Sequence, residues 1–202
     1  QELRGALKAD GMDYPHWELI QSFDTNIQVA VLSKFPIVAR RPHTNDSYLL
    51  FGKRLQVKRG FAEVDLRVSP NYTFILLTTH LKSKLATPEA DEEEMREQEA
   101  LLLREKVDSI FKAKPGANLI VLGDFNTTKD TRAIRSLIGR GRTALIDTRP
   151  AERNGDDAPP ANPRWDPASV TWTHFYGKED SYSRIDYILV SPGMAKEWRR
   201  EG

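Results

Sequence analysis

A layered α/β fold is what the chain predicts, and three stretches predict it. Residues 61–68 alternate, with Ala62, Val64, Leu66 and Val68 on one face and Glu63, Asp65 and Arg67 on the other. That is the pattern of a half-buried strand with one wet face. Ser69-Pro70-Asn71-Tyr72 is a turn by composition, and residues 73–79, TFILLTT, follow it as a second strand, giving an antiparallel hairpin. A long helix and then the apolar run Leu119, Ile120, Val121 and Leu122 complete a strand–helix–strand order. Hairpin strands interleaved with helices pack as layers.

Taken in order, Glu2 to Lys8 is a short helix or the tail of a strand running into one. Residues 27–32, IQVAVL, form a strand, and Ser33 to Val38 is a turn broken at Pro36. The clearest helix covers 88–113. Thr87 serves as its N-cap with Pro88 at the first helical position. Glu89, Asp91, Glu92, Glu93 and Glu94 complement the dipole at its start, and Lys112 and Lys114 at its end. Leu102, Leu103, Val107, Ile110 and Phe111 form its apolar stripe, and the acidic run is a solvated face. The run 119–122, bounded by Pro115-Gly116 and Gly123, is a strand buried on both faces. Thr131 to Ile138 is a short helix stopped by Gly139-Arg140-Gly141, which is no phosphate loop because no strand precedes it. The Pro- and Gly-rich stretch 149–168 is a long surface loop. Val170 to Phe175 and Ile185 to Val190 are two further strands. There is no internal repeat and no second domain.

The chain has 202 residues, 39% hydrophobic and 29% charged, enough for one sizeable domain with a soluble composition. A net charge of +1 gives no global pull toward nucleic acid or anionic membrane. The absence of cysteine removes disulfides, thiolate metal sites and cysteine nucleophiles. No apolar run is long enough to span a membrane, and no amphipathic membrane-binding stretch is visible. The compartment, cytoplasmic or secreted, stays open. The chain starts at Gln1 without an initiator Met, so a missing leader is uninformative. A monomer is expected.

Four stretches carry chemistry-bearing side chains. Asp124 and Asn126 follow the buried strand at i and i+2, so in an extended chain they share a side. A carboxylate and a carboxamide together suit a divalent cation or a water to be deprotonated. Alternatively they are only turn residues. His80 ends the strand TFILLTTH, with Lys82 and Ser83 just beyond. A titratable ring, a cation and a hydroxyl are phosphate-binding groups, unless His80 is simply a polar strand end. His16, His43 and His174 lack such company and read as surface or loop residues. Thr171 and Trp172 both favour strands, and Trp172 suits the core. Arg184 and Asp186 share one side with Ile185 and Tyr187 on the other, either as functional groups or as a structural ion pair.

In this order the stretches resemble the endonuclease/exonuclease/phosphatase superfamily, the deoxyribonuclease I-like fold. Gln1-Glu2 opens the chain. His80-Leu81-Lys82-Ser83, Gly123-Asp124-Phe125-Asn126 and Ser183-Arg184-Ile185-Asp186-Tyr187 follow. VLSKFPI and Thr171-Trp172 resemble further family stretches. The resemblance implies a four-layer sandwich of two mostly antiparallel sheets flanked by helices, with the site at one end. It implies a Mg²⁺-dependent phosphoesterase, with Mn²⁺ as a substitute and Glu2 as the metal ligand. Asp124, fixed by Asn126, would orient and deprotonate water, and His80 would bind the phosphate. Lys82, Ser83, Thr171 and Arg184 would contact substrate. Thr171 could also orient Asp124 or a metal-bound water. Asp186 would hold a catalytic histidine in its working tautomer. That histidine belongs to a downstream S-D-H signature which this chain lacks, as it lacks the family's first-strand asparagine. Residues 1–202 are therefore expected to be one domain, incomplete at both ends, rather than a degenerate member.

A phosphodiester substrate, nucleic acid in particular, is the expectation. A lipid or inositol-phosphate phosphoesterase and a non-catalytic phosphate- or protein-binding module are the alternatives. Arg40-Arg41, Lys53-Arg54 and Lys58-Arg59 could track a nucleic-acid backbone or be ordinary solvated charges. Few aromatics interleave with them, so single-strand stacking is not indicated.

Overall fold

The apolar run ending at Asp124 is a central strand, and the sheet extends from it on both sides. A computed structural model of the chain describes residues 2–149, 152–153, 169–170 and 172–199. The first half contains α1 (Glu2–Ala9), β1 (His16–Ile20), β2 (Val29–Ser33), β3 (Ile37–His43), β4 (Ser47–Leu50), β5 (Lys53–Gln56), β6 (Phe61–Ser69) and β7 (Tyr72–His80). Then come α2 (Glu92–Ala113), β8 (Leu119–Asp124), α3 (Arg132–Ile138) and β9 (Ile146–Asp147). The chain continues through β10 (Glu152–Arg153), β11 (Ser169–Val170), β12 (His174–Tyr176), β13 (Ser181–Ser183), β14 (Asp186–Val190) and α4 (Pro192–Ala195).

Six strands form one sheet in the order β3-β6-β7-β8-β14-β9. Its pairs are antiparallel except β7–β8, which run parallel and need α2 as their crossover. The period of two along β8 feeds both faces. Leu119 and Val121 join Leu77, Leu189 and the inner residues of α2 and α3, among them Leu103, Val107, Ile134 and Leu137. Ile120 and Leu122 lie against the second cluster, where Ala62, Val64 and Leu66 of β6 meet Ile20, Val29 and Val31 of the β1–β2 pair. On the outer side of that pair the Arg4 guanidinium of α1 lies 5.3 Å from the Trp17 ring centre. The expected four layers are therefore present: helices, six-stranded sheet, second sheet, helix. Among the described residues the second sheet has two strands. No helix among them is long and apolar enough to cross a membrane.

Several sequence expectations need correction. Helix α2 begins at Glu92, not residue 88. The Asp91 carboxylate accepts from the Glu93 and Glu94 amides at 2.9 and 3.1 Å, whereas the Thr87 hydroxyl points toward the Met95 sulfur. One carboxylate that satisfies two orphan amides makes the stronger cap. The polar face of β6 is not wet at Glu63, which is 5% exposed beneath Arg41 and His43 of β3. These two partners hold its carboxyl below the usual range although burial alone would raise it. His43 thus ends β3 with its Nε2 2.8 Å from Glu63 Oε2, and is not a loop residue. Trp172 is 51% exposed, edge-on to Tyr182, and not in the core. The expected strand 170–175 is divided between β11 and β12. Of the predicted loop 149–168, most lies outside the described residues.

Candidate active site

One row of paired residues crosses the middle of the sheet at the C-terminal ends of β7 and β8. His80 is the Cα partner of Asp124 across β7–β8, and Asp124 is the partner of Asp186 across β8–β14. Paired residues on neighbouring strands stand about 5 Å apart and project from the same face. For this row that is the face covered by β1–β2, because His80 and Asp124 continue the parity of Leu76, Ile120 and Leu122. His80 Nε2 lies 3.5 Å from Asp124 Oδ2, with both side chains half-buried. Burial lowers the His80 pKa, and the charge of Arg59 lowers it further, against the pull of Asp124 and Asp186.

The residues around the row fix it. Gly123, the expected boundary of the strand, lies inside β8, opposite Thr79 and Tyr187. Its φ is +150°, and a Cβ there would stand 1.9 Å from the Thr79 carbonyl oxygen, so only glycine lets β7 and β8 meet beside the site. Phe125 is fully buried and stacks on Tyr187, with ring centres 5.5 Å apart. Asn126 takes the left-handed conformation at φ +51°. Its amide donates to Asp124 Oδ1 at 2.8 Å, and its Nδ2 donates to the Leu81 carbonyl at 3.1 Å. The carboxamide thus ties the GDFN turn to the H-L-K-S turn and leaves Asp124 Oδ2 turned toward His80.

Beside His80 opens a cavity of about 340 Å³, lined by Phe23, Lys58, Arg59, Lys82, Ser83 and Glu99 among others. Lys82 and Ser83 thus line a cavity next to His80. The Lys82 ammonium donates to the Ser83 and Leu85 carbonyls at 3.0 and 2.6 Å, and burial lowers its pKa. Arg59 donates to the Leu81 carbonyl at 3.0 Å and to Asp24 at 3.3 Å.

The other candidate residues are Arg184, Thr171 and Glu2. Arg184 precedes β14, so the expected alternation does not reach it. Its guanidinium grips Asp147 of β9 through two bonds of 2.9 and 2.5 Å and lies over the Tyr187 ring at 4.2 Å. Burial would raise the Asp147 pKa, but Arg184 holds it below the usual carboxylate range. Thr171 lies outside the described residues. Its neighbour Thr173 accepts the Ile185 and Asp186 amides on Oγ1 at 3.1 and 3.2 Å and so sets the start of β14. Glu2 is exposed on the first turn of α1. Among the described residues no three His, Asp or Glu side chains converge as a metal site.

Sequence reasoning missed Glu99 and Arg96 of α2. One signal was present: Met95, Glu99, Leu103 and Val107 recur every fourth residue, so Glu99 interrupts the apolar stripe. Of the basic pairs, Arg40-Arg41 is engaged within the chain. Arg40 pairs with Glu18 at 2.7 Å, and Arg41 pairs with Glu63 and Asp65. Both are engaged in internal charge pairs.

The chain belongs to the endonuclease/exonuclease/phosphatase family, whose model matches residues 1–202. Members of that family are hydrolases of phosphoester bonds. A comparison with curated proteins finds no match. Among solved structures, the chain is similar to sphingomyelinase C from Streptomyces griseocarneus, with a TM-score of 0.57 and 20% identity over 98% of this chain and 68% of that one. It is similar to the human Nocturnin catalytic domain with a bound sulfate anion, with TM-score 0.55 and 15% identity over 94% and 64%. It is also similar to a double mutant of beta toxin from Staphylococcus aureus with bound magnesium ions, with TM-score 0.55 and 17% identity over 93% and 66%. At these identities the likeness establishes the fold. The chain spans about two thirds of the length of these proteins.

Proposed function

We propose that this protein hydrolyses a phosphodiester by direct attack of water at the His80–Asp124–Asp186 row. The observation that carries the reading is the register that brings these three residues side by side on three adjacent strands. Asp124 is the base: with Oδ1 occupied by the Asn126 amide, Oδ2 accepts the proton of the attacking water. His80, favoured neutral by its burial, donates one ring N–H to the phosphate and stabilises the charge that grows there. Asp186 completes the row as an orienting carboxylate. Lys82 and Ser83 face the cavity that receives the group next to the phosphate.

Mg²⁺ dependence is part of the proposal, supported by family membership and by the magnesium ions bound to the beta toxin neighbour. Glu2 remains the proposed ligand. A bound Mg²⁺ would neutralise phosphoryl charge. Nucleic acid is the preferred diester, and a monomer the proposed state. The test is hydrolysis of plasmid DNA, RNA, sphingomyelin, inositol phosphates and a chromogenic aryl phosphodiester, with Mg²⁺ and with EDTA. Metal-dependent cleavage is expected with at least one substrate. A folded protein that binds Mg²⁺ but leaves the whole panel intact would contradict the diester assignment.

A further inference from the structure

We propose that Glu99 is a positioning residue for His80, acting through the backbone of the turn that follows it. The inference rests on the reading of His80 as the phosphate-binding group.

The turn Leu81–Ser83 is held almost entirely by side chains from elsewhere. The Leu81 amide donates to the Asp124 carbonyl at 3.0 Å. The Leu81 carbonyl accepts from Arg59 and Asn126. The Lys82 and Ser83 carbonyls accept from Arg96 Nη1 at 3.3 and 3.1 Å. The Lys82 amide donates to Glu99 Oε2 at 2.7 Å. Arg96 and Glu99 are three residues apart on α2, so one helix face presents a donor to the carbonyls and an acceptor to the amide.

A buried carboxylate is an expensive way to hold one amide. Glu99 is 2% exposed in a stripe otherwise filled by Met95, Leu103 and Val107. Its charge is answered by Arg59, Lys82 and Arg96. Arg59 reaches the Leu81 carbonyl itself and acts on the charge of both Glu99 and His80. Glu99 and His80 share the wall of the same cavity. A shift of the Lys82 amide therefore passes through Leu81, which is bonded to Asp124 and Asn126, into the row. A leucine at this position would pack as well against the core but could not hold the turn.

Two conservative variants separate reach from charge. Glu99→Asp keeps the charge and retracts the oxygen by one methylene, which breaks the 2.7 Å bond. Glu99→Gln keeps the reach and removes the charge. Lys82 amide exchange and the His80 ring titration are followed by NMR, with kcat and KM on an aryl phosphodiester. In Glu99→Asp the Lys82 amide exchanges about tenfold faster, the loss of one charge-assisted hydrogen bond. The His80 titration midpoint moves, and kcat falls with KM little changed. In Glu99→Gln the Lys82 amide keeps its protection. Unaltered Lys82 exchange and His80 titration in Glu99→Asp overturn the proposal, whatever the activity. If the NMR changes occur but the wild type cleaves nothing, the positioning stands and the phosphoesterase reading fails.

Discussion

Glu99 ionises near pH 7 rather than in the usual carboxylate range, because burial outweighs its hydrogen bond and its cationic neighbours. A carboxyl whose pKa is higher folded than unfolded favours the protonated native state. It therefore costs stability as pH rises from about 4.5 through about 7, by at most about 3 kcal/mol. The groups facing it are Arg59, Lys82, Arg96 and, from β4, Tyr48. Denaturant unfolding should find Glu99→Gln gaining stability relative to wild type between pH 5 and pH 8. An equal difference at both pH values would contradict that sign. His80 shifts the other way for a base: with its pKa lowered, its native contribution is present above 6.5 and lost as pH falls. Its NMR titration midpoint should lie below 6.5.

At the scale of elements, the site depends on how closely β7, β8 and β14 can approach. Gly123→Ala forces a Cβ against the Thr79 carbonyl, so β8 must shift or the pair must part. A cost of about 3 kcal/mol is expected in urea unfolding, with turnover lost even in the folded fraction. The Asp147–Arg184 pair locks the segment before β14 to β9, with both side chains under 10% exposed. Arg184→Met removes the two-bond partner of buried Asp147 and leaves it only Arg149, at 3.5 Å, which costs about 3 kcal/mol. A loss of turnover with unchanged stability would instead return Arg184 to substrate binding. How far the sequence showed these elements depended on local signals. Residues 61–80 and 119–122 were legible because alternation and turn chemistry are local. The cap of α2 was misread because Asp91 and Thr87 are both plausible, and geometry decides between them. Arg184 was misplaced because alternation was carried past the end of the strand. Glu99 went unread because its partner, the Lys82 amide, belongs to a distant loop.

For the whole molecule, motif order in the sequence anticipated the layered fold, but not the register that aligns His80, Asp124 and Asp186, since register is a property of pairing between strands. On the proposed reading that alignment makes Asp124 the general base. The direct measurement is steady-state turnover of a chromogenic phosphodiester by wild type and Asp124→Asn in Mg²⁺, with circular dichroism and thermal melting of both. Asparagine keeps the Oδ1 acceptor for the Asn126 amide but cannot take a proton from water. A fall in kcat of at least about a thousandfold, with the fold and melting temperature retained, is the result expected for loss of a general base. Turnover within a fewfold of wild type would show that the row does not carry the reaction.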